Sequence, residues 1–371
     1  MKAACIGYEG AEEILKREVK ERLEISAKTE PSIALIDADE KQLQKLAYSG
    51  QSFLHVIILL GSGNLKSFDD FAKIKLDAKL LEKYVKNKSF RTDCLRLGKH
   101  GFNSQDVEAK VGEIILDNVK CKVDLHKPDV KIFCYIFNEK CYIGIDIAGF
   151  ELDKRYYKVY TGAKSINSVF GFNLLMLGSY KKDQILLDPF CDCGTIPIEA
   201  AYYLSDIPIH EQQKEKFKFK ILEKQTEKTA DKKQKNKKET KQAKQIFAFD
   251  PQVRNVTACR HNSKIGKVDT FIEMSRVTTD WLDTKFDKEQ VDLVATVVPQ
   301  PTKLTLKKVK KVYPELFDRL NIILKKNGKF ITVGNKLLEE MGNKSKLKLE
   351  KKQKIRKGNQ ILELFIYKKQ D

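Results

Sequence analysis

The sequence predicts an α/β protein in which smaller α+β units precede a doubly wound sheet. Short apolar runs alternate with segments whose apolar residues recur at helical spacing along most of the chain. Residues 185–204 read as a short strand, a tight loop through Cys191-Asp192-Cys193-Gly194-Thr195, and a helix. Junctions of this kind bind ligands at the carboxyl edge of parallel sheets. The last two alternating segments, 347–355 and 360–367, predict an antiparallel pair that closes the sheet.

Composition bounds the size of the protein and the class of its partners. A chain of 371 residues with 42% hydrophobic content is expected to form two or three domains, each with its own core. The net charge of +19 predicts a polyanionic partner, and the charge alone leaves nucleic acid and an anionic membrane surface open. The longest apolar run, 53–60, is too short to span a membrane, and residues 1–18 lack a signal-peptide core. We therefore expect a soluble, cytoplasmic protein that does not associate with membranes.

The cysteine pattern indicates reduced thiols. The eight cysteines are scattered and contain no Cys-x-x-Cys pair. Cys191 and Cys193 could ligate a metal, but no second Cys or His pair stands near them in the sequence. The sequence therefore predicts no metal site.

Residues 1–62 are predicted to form an N-terminal ferredoxin-like α+β domain. The expected order is strand, helix, strand, helix and strand, at 2–6, 10–23, 32–37, 40–46 and 53–60. Gly and Ser-Gly punctuation separates these segments. We interpret this domain as a structural module.

Residues 63–159 are predicted to form a second unit. Its expected elements are a helix at 68–85, a strand at 90–95, a helix capped by Ser104, and strands at 121–125, 130–137 and 140–147. The unit ends at Lys154-Arg155-Tyr156, where cations and rings alternate. Such a cluster can hold phosphate and stack on bases, although the same composition is typical of a solvated hairpin end.

Four blocks of this unit resemble, in order and spacing, a THUMP domain, a family of RNA-binding domains found in tRNA-modifying enzymes. The blocks are Arg96-x-Gly98-x-His100-x-Phe102-x-Ser104, Lys122-Val123-Asp124-Leu125, Tyr142-Ile143-Gly144-Ile145-Asp146 and Lys154-Arg155-Tyr156-Tyr157. The resemblance implies that the chain binds tRNA. The residues expected to contact RNA are Arg96, Lys99, Lys154, Arg155 and Tyr156. His100 and Asp124 are expected to support the fold.

A connector, 160–180, leads into the third domain, 181–371, which contains a Lys-rich insertion at 211–245. Between 211 and 244 the insertion has 13 Lys against 6 acidic residues, so it cannot bury enough apolar surface to fold alone. It could add salt-sensitive RNA affinity or act as a solvated spacer. Strands are predicted at 245–249, 270–274, 291–296 and 329–333, and helices at 168–177, 253–265 and 313–325.

The third domain resembles a class I S-adenosylmethionine-dependent methyltransferase. Asp188-Pro189-x-Cys191-x-x-Gly194-Thr195-x-x-x-Glu199-Ala200-Ala201 matches the opening motif of the THUMP-containing tRNA (guanine-N2)-methyltransferases. The resemblance covers nearly the whole chain apart from the insertion. It implies a Rossmann-like doubly wound methyltransferase sheet, S-adenosylmethionine as cofactor, and methyl transfer to a guanine N2 of tRNA. The implied cofactor-binding positions are Asp188, Asp192, Gly194, Thr195, Asp250 and Thr278.

Asp250 is expected to accept hydrogen bonds from the ribose hydroxyls of the cofactor, and its alternative role is to cap the following helix. Two other positions depart from the family pattern. Asp192 stands where the family has Gly and brings a negative charge to the methionine end of the cofactor. Thr278 stands where an acid would hold the adenine amine, and Asp280, two residues later, could replace that acid.

The candidate catalytic positions depart most. Val297-Val298-Pro299-Gln300 replaces the family's Asn-Pro-Pro-Tyr. Val297 has no side-chain acceptor for amine hydrogens, and Gln300 cannot stack as Tyr would, although its amide could bond to a base edge. Two functions are therefore predicted: tRNA methylation, with a rearranged site using Gln300 and Asp280 as a variant, or a non-catalytic pseudo-methyltransferase. The latter would act as an RNA-binding adaptor, a tRNA chaperone or the partner of an active protein.

Overall fold

The computed structural model describes residues 1–162, 165–218 and 245–370. These residues form two compact units. The N-terminal unit contains 1–152 and 213–218, and the C-terminal unit contains the other described residues. Of the predicted Lys-rich insertion, the structure describes a short 3-10 helix, Glu211–Lys216, and a few residues beside it, while 219–244 lie outside the described residues. No helix in the described part of the chain is long and apolar enough to cross a bilayer.

The N-terminal unit is built on one eight-stranded sheet. Its strands are β1 (Lys2–Ile6), β2 (Lys28–Glu30), β3 (Ile33–Asp37), β4 (His55–Asn64), β5 (Ser89–Leu97), β6 (Lys122–Val123), β7 (Val130–Phe137) and β8 (Lys140–Asp146). Their order in the sheet is β2-β3-β1-β4-β8-β7-β5-β6. The helices are α1 (Glu12–Leu23), α2 (Glu40–Ser49), α3 (Ala78–Tyr84) and α4 (Ser104–Asn118). The predicted α+β character of this half is confirmed.

The strand β4 joins the two segments that were predicted as separate domains. It pairs antiparallel with β1 on one edge and with β8 on the other. Because both edges of β4 are hydrogen-bonded, the sheet is continuous, and the predicted boundary at residue 62 falls inside a strand. A strand that serves two segments cannot be recognised from its own apolar pattern.

Capping residues shorten the predicted helix at 68–85. The segment forms a 3-10 helix, Phe68–Lys73, and then the separate helix α3. Asp77 begins α3 by accepting hydrogen bonds from the backbone N–H groups of Lys79 and Leu80. Similarly, Asn103 caps α4 in a reciprocal capping box, whereas Ser104 was predicted for that role.

Glu18 of α1 anchors this helix to the loop that precedes β4. Its buried carboxylate accepts hydrogen bonds from the backbone N–H groups of Gln51 at 2.9 Å and Ser52 at 2.8 Å. Arg22 Nε donates to the same carboxylate at 2.8 Å. Burial alone would raise the pKa of Glu18, but Arg22 and the hydrogen bonds from Ser52 and Gln51 outweigh it and lower the pKa below its usual value. Ionised Glu18 therefore stabilises the fold.

We expect Glu18→Gln to lower the free energy of unfolding by about 2 kcal/mol at pH 7, because charge-assisted hydrogen bonds are replaced by neutral ones. A lowered folded-state pKa contributes stability that is present above the unfolded-state pKa and is lost as the pH falls through the folded-state value. In urea unfolding, the difference in the free energy of unfolding between wild type and variant should therefore disappear below about pH 4.

Glu21→Gln is the matched control. Glu21 pairs with Arg17 at the exposed face of the same helix, so this change should cost less than about 1 kcal/mol. Equal losses for the two variants would contradict the anchoring role.

The C-terminal unit is built on a seven-stranded sheet. Its strands are β9 (Leu186–Asp188), β10 (Ile246–Asp250), β11 (Ile272–Arg276), β12 (Val291–Ala295), β13 (Leu324–Val333), β14 (Leu347–Lys357) and β15 (Gln360–Lys369). The order is β11-β10-β9-β12-β13-β15-β14, and β15 is antiparallel to both of its neighbours. The helices are α5 (Ser168–Leu177), α6 (Thr195–Ser205), α7 (Val253–Ile265), α8 (Leu306–Ile323) and α9 (Lys336–Gly342). The predicted doubly wound sheet with an antiparallel closing pair is confirmed.

A buried ion pair links Arg155, near the start of this unit, to Glu199 of α6. Arg155 Nε lies 3.0 Å from Glu199 Oε1, and both side chains are fully buried. Arg155 Nη2 donates to the other carboxylate oxygen at 3.3 Å, and Tyr157 Oη donates to Oε1 at 2.9 Å. A buried carboxylate with three such donors is satisfied only while all of its partners are in place.

Arg155→Ala should destabilise the C-terminal unit by about 3–5 kcal/mol, because the Glu199 carboxylate would remain buried without its cation. Chemical denaturation followed by circular dichroism measures this loss. Lys154→Ala, one residue away and exposed, is the control and should change the stability by less than about 0.5 kcal/mol. If Arg155→Ala left the unfolding midpoint unchanged, the structural role of this pair would be refuted.

Candidate cofactor and substrate site

A cavity of about 700 Å³ lies at the carboxyl edge of the sheet in the C-terminal unit. The carboxyl ends of parallel strands meet at one edge, so residues far apart in the sequence converge there. The cavity lining contains most of the predicted cofactor and catalytic positions, namely Asp188, Asp192, Thr195, Asp250, Thr278, Val297, Pro299 and Gln300. The predicted position Gly194 shapes the loop beside them.

The loop between β9 and α6 depends on two residues in the left-handed backbone region. Gly194 has φ of 87°, and a Cβ added there would lie 2.5 Å from Cys259 Sγ, so a side chain does not fit. Asp192 has φ of 46°. Asp is one of the few residues other than Gly that adopts this conformation at modest cost, so the loop keeps its shape with Asp192 in place.

In the part of the chain that the structure describes, one oxygen of the Asp192 carboxylate lacks a hydrogen-bond donor. Its Oδ2 atom is buried and has no hydrogen-bond partner among the described residues. Its backbone N–H donates to Asp250 Oδ2 at 3.2 Å, which brings the two acidic residues together. A buried unpaired carboxylate oxygen is costly, so Asp192 makes the cavity favourable for a cation or a hydrogen-bond donor.

Asp250 ends β10 and combines two roles. Its Oδ1 atom accepts from the Gln252 backbone N–H at 2.8 Å and from Asn255 Nδ2 at 3.1 Å, which helps to start α7. Its Oδ2 atom accepts only the N–H of Asp192 among the described residues, so it retains a lone pair for a ligand hydroxyl. Burial raises the pKa of Asp250 above its usual value, despite the hydrogen bonds that lower it.

Asp188 joins two neighbouring strands beneath the cavity. Thr296 Oγ1 donates to Asp188 Oδ1 at 2.6 Å, which links the end of β9 to the residue that follows β12. The Phe190 N–H donates to the same oxygen at 3.2 Å. Burial raises the pKa of Asp188 to about 8. These contacts give Asp188 a positioning role for the strand ends.

The segment after β11 supplies a carboxylate at Asp280. Both Thr278 and Asp280 line the cavity. A hydrogen bond from the Thr278 side chain lowers the pKa of Asp280, which keeps this carboxylate ionised. A carboxylate therefore lines the cavity two residues after Thr278, and its use in place of the missing acid stays a prediction.

The loop after β12 is closed by hydrogen bonds within the protein. Gln300 Nε2 donates to the Val298 carbonyl at 3.1 Å, and Gln300 Oε1 accepts from Asn335 Nδ2 at 3.1 Å. Tyr313 Oη donates to the Pro299 carbonyl at 2.7 Å. Gln300 Nε2 also donates to the Val333 carbonyl at 3.3 Å, so both amide hydrogens have partners, whereas Oε1 keeps a second lone pair. A bond from the Gln300 amide to a base edge therefore stays a prediction for Oε1.

Asn262 of α7 holds the loop between β9 and α6 in place through its side-chain amide. Its Nδ2 atom donates to the carbonyls of Cys193 at 2.9 Å and Tyr160 at 2.8 Å. Its Oδ1 atom accepts from the Val159 and Tyr160 N–H groups. The sequence gives Asn262 no role of this kind, because a helix pattern does not show which side chain reaches back to a loop.

The five predicted RNA-contacting residues differ in their exposure to solvent. Lys99, Lys154 and Tyr156 are exposed, as RNA contact requires. Arg96 is partly buried, with Nε 3.3 Å from Ser104 Oγ. The prediction for Arg155 is corrected, because its guanidinium is fully buried against Glu199 and cannot reach a phosphate.

The two polar residues expected to support the N-terminal fold make local contacts of that kind. His100 Nε2 lies 2.7 Å from the Asn138 carbonyl, and Asp124 accepts from the N–H groups of His126 and Lys127.

Two lysines of α8, Lys308 and Lys311, line the cavity although the sequence did not indicate them as site residues. The available signal was the Lys-rich start of a helical pattern. In the described residues no group of three His, Cys, Asp or Glu could hold a metal ion.

Comparisons with known proteins agree with this architecture. The model of the RMKL-like methyltransferase domain family matches residues 155–361, and the THUMP domain model matches residues 69–146. A relative from Methanocaldococcus jannaschii, named tRNA (guanine(6)-N2)-methyltransferase, is 27% identical over 339 residues, which is 88% of each chain.

Two solved structures share the fold over the full chain. A possible methylase from Clostridium difficile 630 has a TM-score of 0.78 at 23% identity and covers 100% of this chain and 97% of its own. TrmN from Thermus thermophilus has a TM-score of 0.70 at 19% identity and covers 99% of both chains. The sequence resemblance is confirmed, and this chain belongs to the RMKL-like methyltransferase family with an N-terminal THUMP domain.

Proposed function

We propose that this chain binds tRNA and S-adenosylmethionine, and that methyl transfer to a guanine N2 of tRNA is its candidate reaction. The relative from Methanocaldococcus jannaschii is named for that reaction, and the THUMP domain supplies the expected RNA-binding module. The observation that carries the proposal is the cavity at the carboxyl edge of the parallel strands, with Asp250 at the end of β10. This is the place where doubly wound sheets bind nucleotide-like ligands.

The residues of the cavity fit the adenosine part of S-adenosylmethionine. Asp250 Oδ2 retains a lone pair for a ribose hydroxyl, and the ionised carboxylate of Asp280 can accept from the adenine amine. The bound cofactor supplies a methyl group carried on a cationic sulfonium. At the methionine end, Asp192 places a carboxylate near the path of the cofactor's own carboxylate, which weakens binding through like-charge repulsion.

The substrate side of the cavity lacks the side-chain acceptor that would orient an exocyclic amine. The amine hydrogens need acceptors so that the nitrogen lone pair points at the methyl group. Val297 has no polar side-chain atom. The Val298 and Pro299 carbonyls each accept one hydrogen bond within the protein, from Gln300 and Tyr313, so an amine would have to share these oxygens. Loss of one oriented hydrogen-bonding group costs on the order of a hundredfold to a thousandfold in rate.

This loop geometry favours a second candidate function. A chain that holds tRNA and cofactor without efficient transfer would act as a non-catalytic RNA-binding adaptor, as a tRNA chaperone or with an active protein partner. Of the two functions, the missing side-chain acceptor at Val297 and the internal hydrogen bonds to the Val298 and Pro299 carbonyls favour the non-catalytic one when the substrate is an exocyclic amine. The binding functions are common to both.

A titration and a turnover assay on the full chain test the proposal. We expect micromolar binding of S-adenosylmethionine by calorimetry, together with tRNA binding by fluorescence anisotropy. Absence of both would refute the proposed function. Turnover of the wild-type chain at about 1 per second with a tRNA transcript would refute the non-catalytic function and establish the enzyme.

Two substitutions test whether the missing hydrogen-bond acceptor at Val297 and the missing aromatic ring at Gln300 limit methyl transfer. We expect Val297→Asn combined with Gln300→Tyr to raise the rate of N2-methylguanine formation by about a hundredfold. Mass spectrometry of digested tRNA measures the product. Val297→Leu with Gln300→Tyr is the matched control, since it provides the ring without the acceptor, and it should remain near the wild-type rate. A similar gain in both variants would show that the missing acceptor is not the cause.

Removing the negative charge at position 192 should tighten cofactor binding. We expect Asp192→Gly to lower the Kd for S-adenosylmethionine by about tenfold, which corresponds to about 1.4 kcal/mol. Calorimetry measures the change. Asp192→Asn keeps the Cβ and removes the charge, so it should reproduce most of the gain if charge is the cause. Weaker binding in both variants would mean that the carboxylate attracts the cofactor's cationic groups instead.

A further inference from the structure

The first turns of α8 carry charges that the helix itself disfavours. Lys307, Lys308, Lys310 and Lys311, here called the basic helical face, lie within its first six residues, and the first turn contains no acidic residue. Thr305 at the N-cap makes no side-chain capping hydrogen bond. The N-terminal end of a helix carries a partial positive charge, so cations there cost stability. A cost that the fold does not require indicates a contact outside the fold.

The basic helical face is exposed to solvent and poorly neutralised. All four lysines are exposed, whereas Val309, Tyr313 and Leu316 are buried on the opposite side of α8. Lys311 lies 3.6 Å from Glu315, and among the described residues the other three lysines have no carboxylate partner. These ammonium groups are therefore available to an external anion.

The face borders the cavity, and the element packed beside α8 carries an exposed aromatic ring. Lys308 and Lys311 line the cavity, and so does Asp280 of the 3-10 helix Thr279–Thr284. Thr279 Oγ1 donates to Glu315 Oε2 at 3.2 Å, which joins that 3-10 helix to α8. Trp281, one residue after Asp280, is 59% exposed. The lysines therefore border the cavity, and the indole is carried by the 3-10 helix that is bonded to α8.

We propose that the basic helical face and Trp281 bind a single-stranded segment of RNA at the cavity, with phosphates on the lysines and a base stacked on the indole. Lysines bind phosphates through charge, and exposed aromatic side chains stack on unpaired bases. The adjoining cavity of about 700 Å³ suits an extruded nucleotide, which a flat anionic bilayer would not fill. This inference rests on the proposed function in taking tRNA as the ligand.

The indole provides a direct reporter. Trp281 is the single tryptophan of the chain, so the intrinsic tryptophan fluorescence of the full protein comes from this residue. Titration with a tRNA transcript should quench the fluorescence saturably, because a stacked base contacts the indole. Unchanged fluorescence at saturating tRNA would overturn the assignment of Trp281. Stronger quenching by phosphatidylserine vesicles than by tRNA, at equal phosphate concentration, would overturn RNA as the ligand.

Neutralising the basic helical face tests the phosphate contacts. For the variant Lys307→Gln, Lys308→Gln, Lys310→Gln, Lys311→Gln, we expect a loss in tRNA affinity of about tenfold or more at 0.1 M salt. The slope of log affinity against log salt should decrease by about two to three, as expected for four contacts to a single strand. The melting temperature should stay the same or rise, because cations leave the positive end of a helix.

The control removes the same charge elsewhere on the same unit. Lys344, Lys346, Lys348 and Lys351 are exposed residues on or just before β14, which is three strands away from β12 in the sheet. Changing these four to Gln should alter the tRNA affinity by less than about twofold. Equal losses in the two variants, or no loss in the first, would overturn the proposed surface while leaving tRNA binding intact. A wild-type chain that binds no tRNA would instead contradict the proposed function itself.

Discussion

The turn between β9 and α6 is the constraint on which the cavity depends. Gly194 leaves no room for a Cβ beside Cys259, and Asp192 also adopts a positive φ. Asn262 holds the Cys193 carbonyl from α7, so three elements meet at one loop. This turn sets the direction of α6 and lets the ends of β9 and β10 present Asp188 and Asp250 to the same space. A side chain at Gly194 would separate these elements.

Charge is segregated around this space. Asp188, Asp192 and Asp250 lie at the inner loops, and burial raises the pKa of both Asp188 and Asp250. Lys308 and Lys311 border the same cavity from α8. A raised pKa shifts a carboxyl toward its neutral form, so Asp188 and Asp250 offer hydrogen-bonding groups more than negative charge, whereas basic residues at the border favour a polyanion. The inner loops and the border of the cavity therefore differ in the ligand chemistry that they favour.

The walls of the cavity are held in place by contacts within the protein. Thr296 donates a hydrogen bond to Asp188, and Arg155 forms an ion pair with Glu199. The sheet and α6 are therefore stabilised by side-chain contacts that need no ligand. The loop after β12 is held by internal hydrogen bonds, since Gln300 donates to the Val298 carbonyl. Internal satisfaction removes the cost of buried polar groups and stabilises the loop. These contacts within the unit do not depend on a bound ligand.

The sequence by itself determined the α/β class, the family and most of the strands and helices, because apolar periodicity and short motifs are local signals. Elements such as β1 and α7 were predicted with their observed bounds for this reason. The sequence also identified Asp192, Val297 and Gln300 as departures from the family pattern.

The tertiary structure decided the rest. It joined the first two predicted segments through β4, buried Arg155 against Glu199, engaged the Gln300 amide and brought Lys308 to the cavity. Each of these facts depends on a partner distant in the chain. An isolated charge or amide has the same appearance in a sequence whether it faces solvent or a buried partner, and only packing distinguishes the two.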